Sequence, residues 1–331
     1  MNEPGTLIIS LDFELMWGVH DHRTVADYGA NILGVRTALP AMLDLFGEYD
    51  LRVTFATVGL LFAKDKLEME SMAPALKPDY VDARLSPFNG HFQLVGTDER
   101  NDPFHFATSL IEMLKRYPQH EIGTHTFSHY YCLEPGQTVR EFEADLAAAI
   151  AIASKQGIVL KSIVFPRNQF NAAYLEVCRK HGIVCYRGNE DHWVHRAVPG
   201  SGRTMLRRAL RLADHYINIT GHHCPKANEF MPGYPINIPA SRFLRPYSPA
   251  LKWLDPLRLR RMERSMAQAA LSGGVFHLWW HPHNFGIHQA ENLAILRQLL
   301  DRYAVLKEQH GMRSETMHAL AQRLQATKPH A

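Results

Sequence analysis

The chain has 331 residues, 46% of them hydrophobic and 21% charged, with a formal net charge of +3 at pH 7. That length supports one large globular domain or two ordinary ones, and the composition excludes an intrinsically disordered chain. No apolar run reaches the ~18 residues that a membrane-spanning helix needs, and no recognised nucleic-acid-binding motif accompanies the basic residues.

In chain order, the apolar runs at residues 7–11, 52–57, 121–123, 161–165, 183–186, 216–220 and 275–280 read as strands. Amphipathic helical patterns lie between several of them. Thr138 and Glu141 form a capping box before Phe142, Leu146 and Ile150, and Gly157 follows the end. Asp255 reads as an N-cap with Pro256 in the first turn. Leu257, Met262 and Met266 then share one face, and Gly273-Gly274 stop the helix. Alternating strands and helices predict an α/β fold, and at this length a distorted (β/α) barrel of about seven strands. Residues 64–101 and 200–254 are rich in proline and polar side chains and short of patterned apolar ones. They read as loop insertions in a single domain spanning 1–331.

The start, Met1-Asn2-Glu3-Pro4-Gly5, has no basic segment leading into a long apolar one, and Cys132, Cys178, Cys185 and Cys224 form no CxxC pair. Together these predict a cytoplasmic protein with reduced thiols. Charge is uneven along the chain. Residues 201–264 hold twelve Lys/Arg against four Asp/Glu, a local balance of +8. Such a segment is either a solvated basic face or a rim that attracts an anionic ligand.

Four strand ends carry candidate chemistry. In Ser10-Leu11-Asp12-Phe13-Glu14 the two acids, if strand geometry persists, point the same way. They are then either solvated loop acids or a cavity pair that divides cation binding from proton transfer. In His125-Thr126-Phe127-Ser128-His129, histidines four apart align on one helical face, a spacing that suits zinc-like metals. A chain with 20 histidines produces some such pairs by chance. A nearby carboxylate completes a two-histidine, one-carboxylate set with positions open for water. In Val275-Phe276-His277-Leu278-Trp279-Trp280-His281-Pro282-His283, His281 closes a strand where it could protonate a leaving group. His277 reads as a core histidine and His283 as a rim residue. Arg167, after Phe165-Pro166, is either a surface arginine or a two-point partner for a carboxylate.

Glu121-Ile122-Gly123-Thr124-His125-Thr126-Phe127-Ser128-His129 resembles the H-[ST]-x-x-H metal motif of the polysaccharide deacetylase (NodB-homology) family. Residues 53–59, the Asp12 motif and the His281 strand resemble further motifs of that family in the same order. The resemblance implies a NodB-type barrel and one divalent metal, zinc being favoured, held by Glu14, His125 and His129. It implies Asp12 as general base, His281 as general acid and Arg167 as the group orienting Asp12, with Asp191 and Trp193 supporting His281. Phe13 separates the two acids where the family's usual motif has adjacent aspartates, so the roles of Asp12 and Glu14 stay interchangeable at this point.

The implied activity is hydrolytic removal of an N-acetyl group from a sugar, with the backbone N–H of Tyr130 helping to hold the oxyanion. Deformylation and opening of a cyclic amide stay open as alternatives, as does a non-catalytic carbohydrate-binding role. A cytoplasmic location predicts a sugar on an anionic nucleotide or lipid-pyrophosphate carrier, as in O-antigen or capsule assembly. Arg242 and Arg245 are the candidate phosphate contacts, His283 a further substrate contact, and the basic helix at 255–271 a surface that could rest on a membrane.

Overall fold

The computed structural model describes residues 3–197, 204–230 and 233–326. Its strands are β1 (Thr6–Phe13), β2 (Val53–Thr57), β3 (Glu121–Thr124), β4 (Ser162–Val164) and β5 (Cys185–Gly188), then β6 (Ile236–Pro239), β7 (Arg242–Phe243), β8 (Val275–Trp280) and β9 (Arg313–Glu315). Among them run α1 (Val25–Glu48), α2 (Lys66–Met72), α3 (His91–Leu94), α4 (Thr108–Lys115) and α5 (Val139–Lys155). After these come α6 (Ala172–Lys180), α7 (Met205–Asp214), α8 (Asp255–Ser272), α9 (Gln289–His310) and α10 (Met317–Ala326).

Every strand pairing is parallel, in the order β6-β5-β4-β3-β2-β1-β8-β7. β9 continues the ladder on β1 below the point where β2 begins, pairing Thr6–Ile8 while β2 pairs from Ile9 onward. The two outer strands, β6 and β7, are consecutive in sequence. Their link is tied to both flanks, since Ala240 N donates to Gly188 O and Ser241 N donates to the His277 carbonyl. The curled parallel sheet with surrounding helices is the predicted NodB-type (β/α) barrel-like fold, drawn as a half-barrel.

Side-chain alternation along β1 explains where chemistry can sit. Leu7, Ile9, Leu11 and Phe13 join the large core beneath the outer helices, whereas Ile8 joins an inner cluster. That inner cluster is closed by Met317, Leu320, Ala321 and Leu324 of α10, whose first turn is tied to Thr54 and Glu121 at the N-terminal ends of β2 and β3. With that end plugged by apolar side chains, the polar inward positions are Ser10 and Asp12, toward the C-terminal ends of the strands.

Several local expectations hold. Thr138 and Glu141 make the capping box of α5, and Gly273 ends α8 at φ 72°. Others are corrected. Residues 216–220 do not form a strand. Ile217 and Ile219 face solvent, and the Asp214 carboxylate accepts the backbone N–H groups of Ile219 and Thr220, folding the segment into a turn. Residues 200–254 are not wholly an excursion, because β6 and β7 belong to the sheet. Helix α8 begins at Asp255 itself, with Leu254 as its N-cap, and Leu257 is exposed while Leu259, Met262 and Met266 are buried. Nor does α8 present a uniformly basic outer face. Arg258 and Arg261 are buried, donating to the Arg245 and Gly221 carbonyls.

Candidate active site

β1 delivers Asp12 inward and ends at Phe13, and Glu14 turns out of the strand at φ −133° and ψ −19°. Both carboxylates still enter one cavity of about 430 Å³, as the sequence predicts, and both are buried. Gly18 makes room for Glu14, since a Cβ there would lie 1.9 Å from its carboxyl carbon.

The two histidines reach the same cavity by a different route from the predicted one. Residues 125–129 are not helical. Thr126 and His129 adopt positive φ values of 65° and 59°, costly for a β-branched residue above all. Buried Asp145 on α5 holds this bend, accepting from Phe127 N at 2.7 Å, Ser128 N at 3.1 Å and the Ser128 hydroxyl. Thr126 Oγ1 in turn accepts the Tyr130 N–H at 2.7 Å. That bond occupies the N–H expected to serve an oxyanion, and the Tyr130 phenol donates to Thr138 O. Tyr130 is therefore part of the scaffold of the bend. Asp145→Ala is expected to leave three buried donors without an acceptor, at about 1–3 kcal/mol each. Thermal or denaturant unfolding should show a loss of several kcal/mol, and an unchanged midpoint would mean that the bend is held by other contacts.

Glu14 Oε2 lies 3.2 Å from His125 Nε2 and 3.0 Å from His129 Nε2. The ligand-type atoms of these three residues lie within 4.8 Å of one another. The donor chemistry fits a cation. His125 Nδ1 is 2.8 Å from the Val164 carbonyl, which can only accept, so this nitrogen carries a hydrogen and Nε2 is the ring nitrogen turned toward Glu14. Burial opposes ionisation of Glu14, yet the imidazoles of His281, His129 and His125 hold its pKa well below the usual range. Burial meanwhile pushes His129 down to about 4, leaving its ring neutral. Two imidazole nitrogens that face one ionised carboxylate at ~3 Å, the His129 ring neutral, make a donor set that a divalent ion between them fits.

Asp12 is oriented by Arg187, not by Arg167. Arg187, on β5, donates to Asp12 Oδ1 at 2.6 Å and Oδ2 at 2.7 Å, and also to Ser10 Oγ and Asn168 Oδ1. Its guanidinium lies 4.1 Å over the Trp279 ring. Burial opposes ionisation of Asp12, but Arg187, with help from His125 and His281, lowers its pKa. Arg167, at φ 55°, turns away to pair with Asp21 and Glu134 and to cover Tyr131, because Asn168 takes the position facing Arg187. Replacing Arg187 by Gln strands a buried carboxylate, and breaking such a pair costs about 3–5 kcal/mol. Arg187→Gln should unfold more easily. Because it removes what depresses the Asp12 pKa, the acidic limb of kcat/KM should move to higher pH. An unshifted limb would separate Arg187 from Asp12.

His281 enters from the end of β8, with Nε2 3.7 Å from both Asp12 Oδ2 and Glu14 Oε1. His283 stacks on it, ring centroids 5.0 Å apart. Burial and His281 push His283 down to about 3, and its Nδ1 has no hydrogen-bond partner and lies 3.9 Å from Glu14 Oε1. His277 is a core residue as predicted, fully buried against Ser10. Asp191 and Trp193 do not reach His281. They are exposed and line a neighbouring cavity, while Phe243, Trp279 and His283 pack around the His281 ring. Arg242 is buried and committed to Asp214 at 2.5 Å and to the Gly221 carbonyl, whereas Arg245 lines the catalytic cavity. The sequence reading missed Arg187 and Asp145. For Arg187 the one available signal was a charged residue directly after an otherwise apolar strand run, and for Asp145 there was none.

Comparison with known proteins bears on the family and the fold. The polysaccharide deacetylase family model matches residues 26–186, which include both metal-motif histidines, so the family resemblance read from the motifs is borne out. None of the curated proteins matches the chain by sequence. Among solved structures, a protein described as a polysaccharide deacetylase from Mycobacterium smegmatis aligns with TM-score 0.59 at 14% identity, over 100% of this chain and 96% of its own. A second so described, from Pseudomonas aeruginosa PAO1, aligns with TM-score 0.55 at 9% identity, covering 98% and 92%. PuuE allantoinase aligns with TM-score 0.55 at 11% identity, covering 98% and 91%. At these identities the likeness is one of fold.

Proposed function

We propose, from the premise that residues 26–186 match the polysaccharide deacetylases and the whole chain shares their fold, that this protein is a metal-dependent hydrolase removing an N-acetyl group from a sugar. One observation carries the reading. A carboxylate held ionised by Arg187 and an imidazole, His281, face each other at 3.7 Å directly beside the Glu14, His125 and His129 cluster. A base, an acid and a cation site in one pocket are what amide hydrolysis needs and what a passive sugar-binding protein does not.

Glu14, His125 and His129 would hold the divalent ion, zinc being the best match to this donor set, and it would supply a Lewis acid at the floor of the pocket. Asp12 accepts the proton of the attacking water as the oxygen bonds to the acyl carbon. His281 donates a proton to the nitrogen as the C–N bond breaks, so acetate and a free amine leave. Arg187 keeps Asp12 charged and aimed throughout. His283, neutral and buried, lines the same pocket and is our candidate for a substrate contact. We read the chain as a single catalytic domain, since one hydrophobic cluster runs from Leu7 to Met312.

The same reading places the enzyme in the cytoplasm, acting on a carrier-linked sugar in bacterial surface-polysaccharide assembly. Its supports are four cysteines without a disulfide and the basic balance of residues 201–264, with Arg245 on the pocket wall. Residues 201–203 and 231–232 of that segment lie outside the described residues. No described helix is long and apolar enough to cross a membrane. The test is a product assay on N-acetyl sugars, N-formyl sugars and cyclic ureides such as allantoin. Acetate release from the first is the expected result. Turnover of formyl sugars or ureides alone would move the chemistry to that substrate class.

A further inference from the structure

Helix α7 is amphipathic, yet it turns its polar face to the protein. Arg207 donates to the Trp193 and Arg196 carbonyls at 2.6 and 2.7 Å, and Arg211 Nε donates to the Val194 carbonyl at 2.7 Å. On the opposite face Met205, Ala209 and Leu212, spaced four and three apart, are exposed, as is Leu206 beside them. Met205 leaves 86% of its surface to solvent. An amphipathic helix of a globular domain packs its apolar stripe on the core, so a stripe turned outward marks a surface with a further partner.

The stripe continues beyond the helix. The chain leaves α7 through the turn held by Asp214, where Ile217 and Ile219 are exposed as well. The segment then runs against α8, with Arg261 donating to the Gly221 carbonyl and His222 Nδ1 3.0 Å from Ser265 Oγ. Trp253, 72% exposed, stands just before α8, and Leu257, Arg260 and Arg264 carry its exposed side onward at three- and four-residue spacing. Among the described residues of 201–264, the exposed charged side chains are Arg208, Lys226, Lys252, Arg260 and Arg264 against Glu229. Asp214 and Asp255 are each paired with an arginine, Arg242 and Arg258.

We propose that the outer face of α7, the turn at 217–219 and the Trp253–Leu257 corner form a docking surface for an anionic lipid bilayer. The charge selects the occupant. Five exposed cations against one acid complement a plane of anionic headgroups and oppose pairing with a second copy of the same basic face. Met205, Leu206, Ile217 and Ile219 would enter the boundary between headgroups and acyl chains, with Trp253 at the level where indole rings settle. The inward face of α7 walls a cavity of about 390 Å³ that shares Arg167, Asn168, Phe243 and Trp279 with the catalytic pocket. Docking therefore brings the pocket to whatever the bilayer displays. That this is an N-acyl sugar rests on the hydrolase reading, whereas the docking itself does not.

The experiment sediments the full chain with vesicles of phosphatidylcholine containing phosphatidylglycerol, and with phosphatidylcholine alone, at low and high salt. The variants are Met205→Glu and Ile217→Glu. Leu67→Glu, at an exposed apolar position on α2, controls for the added carboxylate. Wild type is expected to bind the anionic vesicles, less at high salt and less on phosphatidylcholine alone. Met205→Glu and Ile217→Glu should each weaken binding about tenfold, and Leu67→Glu little. No binding by wild type, equal binding to both vesicle types, or an equal effect of all three variants overturns the proposal. A dimer that Met205→Glu dissociates in sedimentation velocity would assign the face to a second copy and overturns it too. Acetate release from an N-acetyl sugar without vesicle binding sinks this inference alone. Vesicle binding that depends on Met205, with no acyl release from any sugar, instead sinks the hydrolase reading.

Discussion

Asp12→Asn is expected to retain its metal and to lose about 10²- to 10⁴-fold in kcat, the span that a positioned general base contributes. The substitution is nearly isosteric, and the Arg187 fork still finds an oxygen to hold, so the fold should survive. What disappears is the proton acceptor. Asp12 is not among the three residues whose ligand atoms converge, and its two oxygens are already bound by Arg187 at 2.6 and 2.7 Å. These distances separate the two carboxylates, which the sequence left interchangeable. Measuring kcat and bound metal together checks the assignment. If Asp12→Asn sheds the metal while Glu14→Gln keeps it, the two roles are reversed.

The second large effect belongs to the cation cluster. His125→Ala and Glu14→Gln should each lose most of the bound metal and with it the activity, because each removes one of three converging ligands. Glu14→Gln has a further consequence. The carboxylate charge that would offset the ion is gone, so any residual metal should dissociate at higher pH than in the wild type. Metal content of the purified variants by elemental analysis is the readout. Wild-type stoichiometry in His125→Ala would remove His125 from the set.

Much of the site was legible because its members lie in short motifs at strand ends. Asp12 and Glu14 are two residues apart, His125 and His129 four, and His281 closes the most apolar strand run in the C-terminal third. Geometry that depends on distant partners was not legible. Arg187 meets Asp12 from 175 residues away, on a strand run that reads as uniformly apolar up to Tyr186. Asp145 holds the histidine bend from a helix whose sequence shows only an amphipathic pattern. The bend itself, with Thr126 in the left-handed region, contradicts the helical face suggested by the four-residue spacing, because propensity says nothing of a buried carboxylate gathering two N–H groups.

The fold shows the same division. β1, β2 and β8 announce themselves through long apolar runs. β6, bounded by Pro235 and Pro239, reads as loop, and β7 spans only Arg242–Phe243. Residues 216–220 alternate like a strand, yet the carboxylate of Asp214 captures their backbone first. In each case a tertiary partner outweighed a local pattern.

The central claim is that Glu14, His125 and His129 hold a metal on which acyl hydrolysis depends. It is tested most directly by following acetate release from an N-acetyl sugar as zinc is titrated back into chelator-stripped protein. The account predicts no release from the stripped protein and a rate that rises linearly to a break at one equivalent, with His125→Ala inert throughout. Full release from the metal-free protein, or from His125→Ala, would contradict it.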